Sequence, residues 1–132
     1  MSKRIKTIET LVERAQRRGT AVQSKRIEDG MYTYSMVTKE VYRVEITEER
    51  AQLFHYGTLT AEIDLLANKV VKVYGQSLSD ADSVATFLNI FGFNVDFGYR
   101  PVNGGFYLHT NEKPIFEAEG FEAMVTSINE NA

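Results

Sequence analysis

LFHYGTLTAEIDLLANKVVKVY, residues 53–74, contains short β-type segments separated by turn residues. Residues 53–56 and 59–63 flank Gly57, so they form either one strand bent at that glycine or two strands joined there. Residues 70–74 are a further β-branched run, entered through a short polar turn. Short connections of this kind are typical of neighbouring antiparallel strands. The stretch therefore predicts an antiparallel meander.

Two more β-type segments precede this stretch. Residues 32–37 and 41–46 alternate along the chain with the period of a half-buried strand. Residues 38–40 between them are few enough for a hairpin loop. Gly30 opens this section after a polar connection, which we interpret as linking it to a helix upstream.

That upstream helix is predicted over residues 3–18. Its apolar residues recur at helical spacing and form one face. Ser2 fits the N-cap position, and Gly19 fits the residue just after the helix. The residues of the apolar face are Ile5, Ile8, Leu11, Val12 and Ala15.

A second helix is predicted at about residues 80–91. Ser79 supplies a capping hydroxyl, and Asp82 follows three residues later as an imperfect capping-box partner. Gly92 fits the position after the helix. Residues 75–79 lead into its N-terminus, where free N–H groups attract phosphate. Because the first turn already carries acidic residues, we favour an ordinary capped helix over an anion site.

The last third of the chain predicts a hairpin and a final short helix. Residues 93–99 read as a strand, residues 101–105 as a turn and residues 106–109 as the partner strand. Residues 114–116 suggest an edge strand, and residues 121–128 suggest a short helix. We therefore predict one α+β domain over residues 1–132, in which helices cover one face of an antiparallel sheet.

Composition excludes several classes of protein. The 132 residues are 43% hydrophobic and 25% charged, which is typical of a globular chain. There is no cysteine, so disulfide scaffolds, thiolate zinc sites and cysteine nucleophiles are excluded. No apolar run approaches the length of about 18 residues expected of a membrane helix, and no signal core opens the chain. We expect a cytoplasmic protein without membrane contact.

Charge is unevenly distributed along the chain. Residues 1–27 hold eight Lys and Arg against two Glu, a local charge of +6, while the net charge of the chain is −3. The rest of the chain therefore carries −9. The basic segment is either the solvated side of a helix, an anion-binding face or a contact between protomers. Duplex DNA is a disfavoured partner, because the acidic body repels phosphate.

The sequence contains no catalytic motif. His55 and His109 lie in separate predicted strands and lack the short spacing of a helical metal pair. Serine nucleophile elbows, Walker loops and dinucleotide-binding glycine patterns are absent. We therefore predict a protein that is not an enzyme and holds neither a metal nor a cofactor.

FNVDFGYRPVNGGF, residues 93–106, mixes the side-chain types that recognise nucleotides. Aromatic rings can stack on a base, arginine can bind phosphate in a bidentate manner, and asparagine can contact a base or ribose edge. The same residues also fit a hairpin whose rings build core. The candidate ligand-binding residues are Phe93, Tyr99, Arg100 and Asn103, with Lys25 and Arg26 from elsewhere in the chain.

Three segments together resemble the Thoeris anti-defence proteins of bacteriophages. They are MSKRIKTIETLVERAQRRGTAV at the N-terminus, YRPVNGGFY, and the central LFHYGTLTAEIDLLANKVVKVYGQSLSDADSVATFLNIFGF with its Tyr-Gly-Thr and Gly-Gln-Ser-x-Ser-Asp motifs. The resemblance implies a non-catalytic homo-oligomer in the cytoplasm of an infected bacterium. Such a protein would sequester cyclic ADP-ribose isomers in pockets between subunits, and some members also trap cyclic oligonucleotides. The alternative is a protein-binding inhibitor, such as an anti-CRISPR protein, that uses its acidic body.

Overall fold

Five antiparallel strands, arranged in the order in which they occur in the chain, form the main sheet. The structure is a computed structural model that describes residues 3–28, 36–75, 77–100, 105–109 and 121–130, and the side chains of residues 4–24, 39–75, 77–96 and 121–130. The elements are α1 (Lys3–Arg18), β1 (Thr20–Glu28), β2 (Met36–Ile46), β3 (Arg50–His55), β4 (Thr58–Asp64), β5 (Lys69–Val73), α2 (Leu78–Ile90), β6 (Asp96–Arg100), β7 (Gly105–His109) and α3 (Phe121–Glu130). This is the α+β class predicted from the sequence.

One face of the main sheet forms the core. Cross-strand partners share a face, and the row that crosses all five strands is at most 8% exposed at each position. All three helices contribute buried side chains to the same core, so they cover that one face. The residues of the row are Ala21, Val44, Leu53, Ala61 and Val73.

Helix α1 has the bounds predicted from its apolar spacing. Ile8, Leu11 and Val12 are at most 2% exposed, because the face they share lies against the sheet. Gly19 follows the helix with a φ of +87° and donates its N–H to the Ala15 carbonyl. A positive φ is favourable for glycine, so the chain can turn directly from α1 into β1.

The sequence did not predict β1, and it placed a loop inside β2. Residues 20–28, interpreted as a polar connection, form β1. Residues 38–40, predicted as a hairpin loop, belong to β2. Residues 20–28 are polar because β1 is an edge strand, which requires few apolar side chains. Residues 38–40 pair with β1 but lie beyond the part of β2 that pairs with β3, so they too lie at the margin of the sheet. Residues 29–35, which include Gly30 and part of the predicted strand 32–37, lie outside the described residues.

A two-residue turn separates β3 from β4. The segment therefore forms two strands joined at Gly57 and not one strand bent there. Tyr56 and Gly57 have φ values of +48° and +80°, so both central residues are left-handed. That pair is the signature of a type I′ hairpin turn, whose twist matches that of the strands it joins. His55 and Thr58 therefore pair directly across the turn.

Helix α2 begins two residues earlier than the sequence suggested. Ser77, not Ser79, is the N-cap, and its side chain accepts the Asp80 N–H. Gly92 follows the helix with a φ of +95°, as predicted. Asn89 then binds both the N–H and the carbonyl of Val95, which fixes the chain leading to β6.

The described strands β6 and β7 pair as an antiparallel hairpin in a separate two-stranded sheet. Helix α3 corresponds to the predicted helix at residues 121–128 and packs beside β5. The predicted edge strand at residues 114–116 and the Ser2 cap lie outside the described residues. Within the described part of the chain, no helix has the length and hydropathy needed to cross a membrane.

Candidate functional site

A pocket of about 450 Å³ opens at one end of the main sheet, between the β3–β4 turn, the end of β5 and the start of α2. Antiparallel order brings these segments together, because β3 and β5 run in the same direction and end at the same side. Helix α2 begins shortly after β5 ends. The lining residues are His55, Tyr56, Thr58, Thr60, Tyr74, Ser77, Ser79 and Asp80.

Hydroxyl groups dominate the lining of this pocket, since six of its eight residues carry one. The Thr60 hydroxyl donates to the Leu53 carbonyl at 3.2 Å, and Ser77 Oγ accepts the Asp80 N–H at 3.1 Å. The other hydroxyls form no hydrogen bond with the described part of the chain, so they can bind a ligand. They belong to Tyr56, Thr58, Tyr74 and Ser79.

His55 is held in one orientation by an acidic partner on α2. Its Nδ1 lies 2.7 Å from Asp80 Oδ1, and the two side chains are 12% and 15% exposed. A carboxylate can only accept, so Nδ1 carries the proton and Nε2 of the neutral ring is an acceptor. The ring also stacks on Tyr42 at a centroid distance of 4.4 Å and contacts Tyr56 at 4.7 Å.

Tyr42 links this pair to α1 from beneath the pocket. Its side chain is hydrogen-bonded to Ser83 on α2 and to Arg4 on α1, and Arg4 also forms an ion pair with Asp82. Tyr42 is 6% exposed. Burial raises the pKa of the Tyr42 phenol above its ordinary value of 10.0, while its bond to Ser83 acts in the opposite direction.

This raised pKa predicts a loss of stability in alkaline solution. Above pH 10.0 the phenol ionises more readily in the unfolded chain than in the folded one, so the free energy of unfolding should fall as pH rises. Tyr42→Phe should make that fall shallower, although it costs about 1 kcal/mol at neutral pH through lost hydrogen bonds. Urea unfolding between pH 8 and pH 11 measures the slope of the free energy of unfolding against pH in the unmodified protein and in Tyr42→Phe. Tyr56→Phe is the control, because the Tyr56 side chain is 56% exposed. Equal slopes in Tyr42→Phe and the unmodified protein would contradict the prediction.

In nucleophilic catalysis a carboxylate orients a histidine, and the histidine activates a hydroxyl. The His55–Asp80 pair provides the carboxylate and the histidine of such an arrangement. A serine nucleophile must be hydrogen-bonded to the free ring nitrogen of its histidine. Within the described residues, neither Ser77 nor Ser79 makes that bond. The geometry therefore supports orientation of a bound ligand by His55.

The charge of the pocket favours a polar ligand whose uncharged groups occupy the interior. Asp80 is the acidic residue in the described lining, and no Lys or Arg belongs to it. The free N–H groups at the α2 N-terminus partly offset this acidic charge. Lys72 lines a separate groove between β5 and α3, and its Nζ lies 6.0 Å from the ring centroid of Tyr74. Hydroxyl-rich and aromatic ligand groups fit the interior.

Of the six ligand-binding residues predicted from the sequence, Phe93 is the one whose side chain the structure describes. Phe93 is 2% exposed in the core, so it has no free face for stacking and is not part of the site. Tyr99 and Arg100 lie on β6 and Lys25 and Arg26 on β1, in two different sheets. The side chains of these four residues, and Asn103 entirely, lie outside the described part of the structure.

Sequence reasoning missed Asp80 as the partner of His55. The direction of the strands could have revealed that Asp80 lies close to His55. In a meander, the β3–β4 turn and the end of β5 must meet, and α2 starts there. The Tyr-Gly-Thr and Gly-Gln-Ser-x-Ser-Asp motifs that carry the family resemblance thus contribute residues to one pocket.

Among the described residues, no group of three or more His, Asp or Glu side chains is placed to hold a metal ion.

Comparison with known proteins provides no relative: no family model matches the chain, and neither a curated protein nor a solved structure is significantly similar to it.

Proposed function

We propose that this protein binds a nucleotide signal without altering it, and that the ligand occupies the pocket around His55. The observation that carries the proposal is the combination of free hydroxyls, two tyrosine rings and an oriented histidine in one pocket. A volume of about 450 Å³ lies within the range of small-molecule sites. Nucleosides match this lining, because they combine a flat base with ribose hydroxyls.

Sequestration rather than catalysis is favoured by what the pocket offers chemically. A protein that traps a signal needs stacking and hydrogen-bonding groups, and it needs no activated nucleophile. Cyclic ADP-ribose isomers, implied by the family resemblance, combine a purine and two riboses with a pyrophosphate. The purine or a ribose would contact Tyr56 and the free hydroxyls. The action would be phage anti-defence in the bacterial cytoplasm, by a homo-oligomer.

Tyr56→Asn is expected to weaken binding of cyclic ADP-ribose isomers by roughly 5- to 150-fold. Stacking on an aromatic ring contributes about 1–3 kcal/mol per base. Asparagine tolerates the left-handed backbone at this position, where φ is +48°, so the variant removes the ring without backbone strain. Calorimetry with cyclic ADP-ribose isomers and cyclic oligoadenylates measures the change.

Two controls accompany this experiment. Tyr56→Phe keeps the ring and removes only the hydroxyl, and Leu66→Ala alters a side chain that is 75% exposed outside the pocket. Leu66→Ala should bind normally. Heat denaturation should release unmodified nucleotide, and light scattering with and without nucleotide gives the oligomeric state. Absence of binding throughout the panel, or release of altered product, would overturn the proposal.

The alternative function, inhibition of a protein target through the acidic body, is a different class of activity. It is favoured by the charge of −9 outside residues 1–27. Co-purification with a nuclease and a steep decrease of affinity with salt would support it.

A further inference from the structure

The two edges of the main sheet differ. On β5, the Asn129 side chain accepts the Val70 N–H at 2.8 Å and donates to the Val70 carbonyl at 2.9 Å. Helix α3 therefore packs beside β5 and satisfies the outward backbone groups of Val70. On the other side β1 pairs with β2, and no other described strand pairs with it. An edge strand leaves every second N–H and carbonyl directed away from the sheet, where they can pair with an added strand.

A groove runs along this β1 edge, between β1 and the side of α1. Lys6, Thr10 and Arg14 form a row on α1, because residues four apart lie on the same helix face. Val22 and Gln23 of β1 line the opposite side. The groove thus combines backbone hydrogen-bonding capacity with two cationic side chains.

The cations of this groove are available to a partner. Within the described residues, neither Lys6 nor Arg14 forms an ion pair, and no carboxylate belongs to the groove lining. Lys25 and Arg26 add two more positive charges to the same strand. Unpaired charges of one sign select a partner of the opposite sign.

The spacing of the two cations matches an extended chain. Lys6 and Arg14 are eight residues apart, which is about 12 Å along a helix axis. Residues four apart on one face of a β-strand are separated by about 13 Å. Two acidic side chains at positions i and i+4 of an added strand would therefore reach both cations. A second copy of this chain is disfavoured as the occupant, because pairing β1 with β1 brings two basic rows together.

We infer that the β1 edge binds an acidic, extended segment of a partner protein by strand addition, with acidic residues four positions apart contacting Lys6 and Arg14. This interaction is independent of the pocket around His55. Backbone pairing provides affinity in such complexes, and the side chains provide specificity.

Fluorescence anisotropy with a seven-residue probe peptide tests the inference. The probe consists of Thr and Val with Glu at its second and sixth positions. It should bind, and binding should weaken at least tenfold when Glu is moved to the second and fifth positions, which face opposite sides of a strand. Methylation of alternate backbone nitrogens should also weaken it at least tenfold, because it removes the donors needed for pairing.

Charge reversal in the protein provides the matched comparison. Arg14→Glu should weaken binding at least tenfold, whereas Lys69→Glu makes the same change of sign on β5, at the edge where Asn129 binds Val70, and should leave binding unchanged. No binding, or binding indifferent to Glu spacing and to backbone methylation, would overturn the inference. A dimer that blocks the probe in the unmodified protein and dissociates on Arg14→Glu would also overturn it, because the occupant would then be a second copy.

Discussion

Replacing Phe87 with alanine is expected to lower the free energy of unfolding by about 3–5 kcal/mol. Phe87 is fully buried on the core side of α2, and its ring packs against Phe91 at a centroid distance of 5.1 Å. The truncation removes apolar surface from the core and leaves a cavity that neighbouring side chains fill only in part. Because α2 carries Asp80 to His55, a loosened helix should also weaken ligand binding in the pocket. Urea denaturation measures the stability change.

Phe87→Leu keeps the experiment informative if the alanine variant does not fold. It retains most of the apolar volume and should cost less than half as much. Leu66→Ala, on a side chain 75% exposed, should change the free energy of unfolding by less than about 0.5 kcal/mol. If Phe87→Ala lowered the free energy of unfolding as little as Leu66→Ala, Phe87 would not be buried between α2 and the sheet.

Strong local patterns allowed the helices to be predicted. The bounds of α1 follow from its apolar face, and the glycines after α1 and α2 have the positive φ expected of them. These features depend on residues within one or two turns of each other, so no knowledge of the tertiary fold was required. The helical spacing alone separated buried from exposed positions on α1.

The edge strand could not be predicted in this way. Residues 20–28 contain isolated apolar residues among polar ones, and one side of β1 needs no partner strand. Its pairing with β2 is also interrupted by a register shift between Gln23 and Ser24. Alternation is weak under these conditions, because the strand is stabilised by backbone pairing with a segment distant in the chain.

The candidate site depended on contacts between distant parts of the chain. His55 and Asp80 are 25 positions apart, and each is unremarkable within its own segment. Two serines near the start of α2 could both serve as its cap, and only the structure shows that Ser77 does so. Aromatic and basic composition directed attention to residues 93–106 instead, but Phe93 is used to build core. Composition identifies the types of side chain in a segment, whereas burial decides whether they can bind a ligand.

Asn129→Leu is expected to lower the free energy of unfolding by about 2–3 kcal/mol, the second-largest effect predicted here for a single residue. The side chain satisfies both backbone groups of Val70 across 59 positions of the chain, in the geometry of a paired strand. Leucine has a similar size but no polar atoms, so it leaves the Val70 N–H and carbonyl unpaired beneath α3. An unsatisfied buried polar group costs more than the bond it formed contributed. Urea unfolding measures the loss, and hydrogen exchange at the Val70 amide should accelerate.

Thr126→Ala is the matched control on the same helix. Within the described part of the chain, the Thr126 hydroxyl bonds only to the Glu122 carbonyl of its own helix, so its loss should cost less than about 0.5 kcal/mol. Asn129→Asp separates the two bonds, because a carboxylate still accepts the Val70 N–H and cannot donate to the carbonyl. The free energy of unfolding of Asn129→Asp should therefore lie between those of the unmodified protein and Asn129→Leu. If Asn129→Leu were as stable as Thr126→Ala, α3 would not satisfy the outward backbone groups of Val70 on β5, and the difference between the two edges that directs an added strand to β1 would disappear.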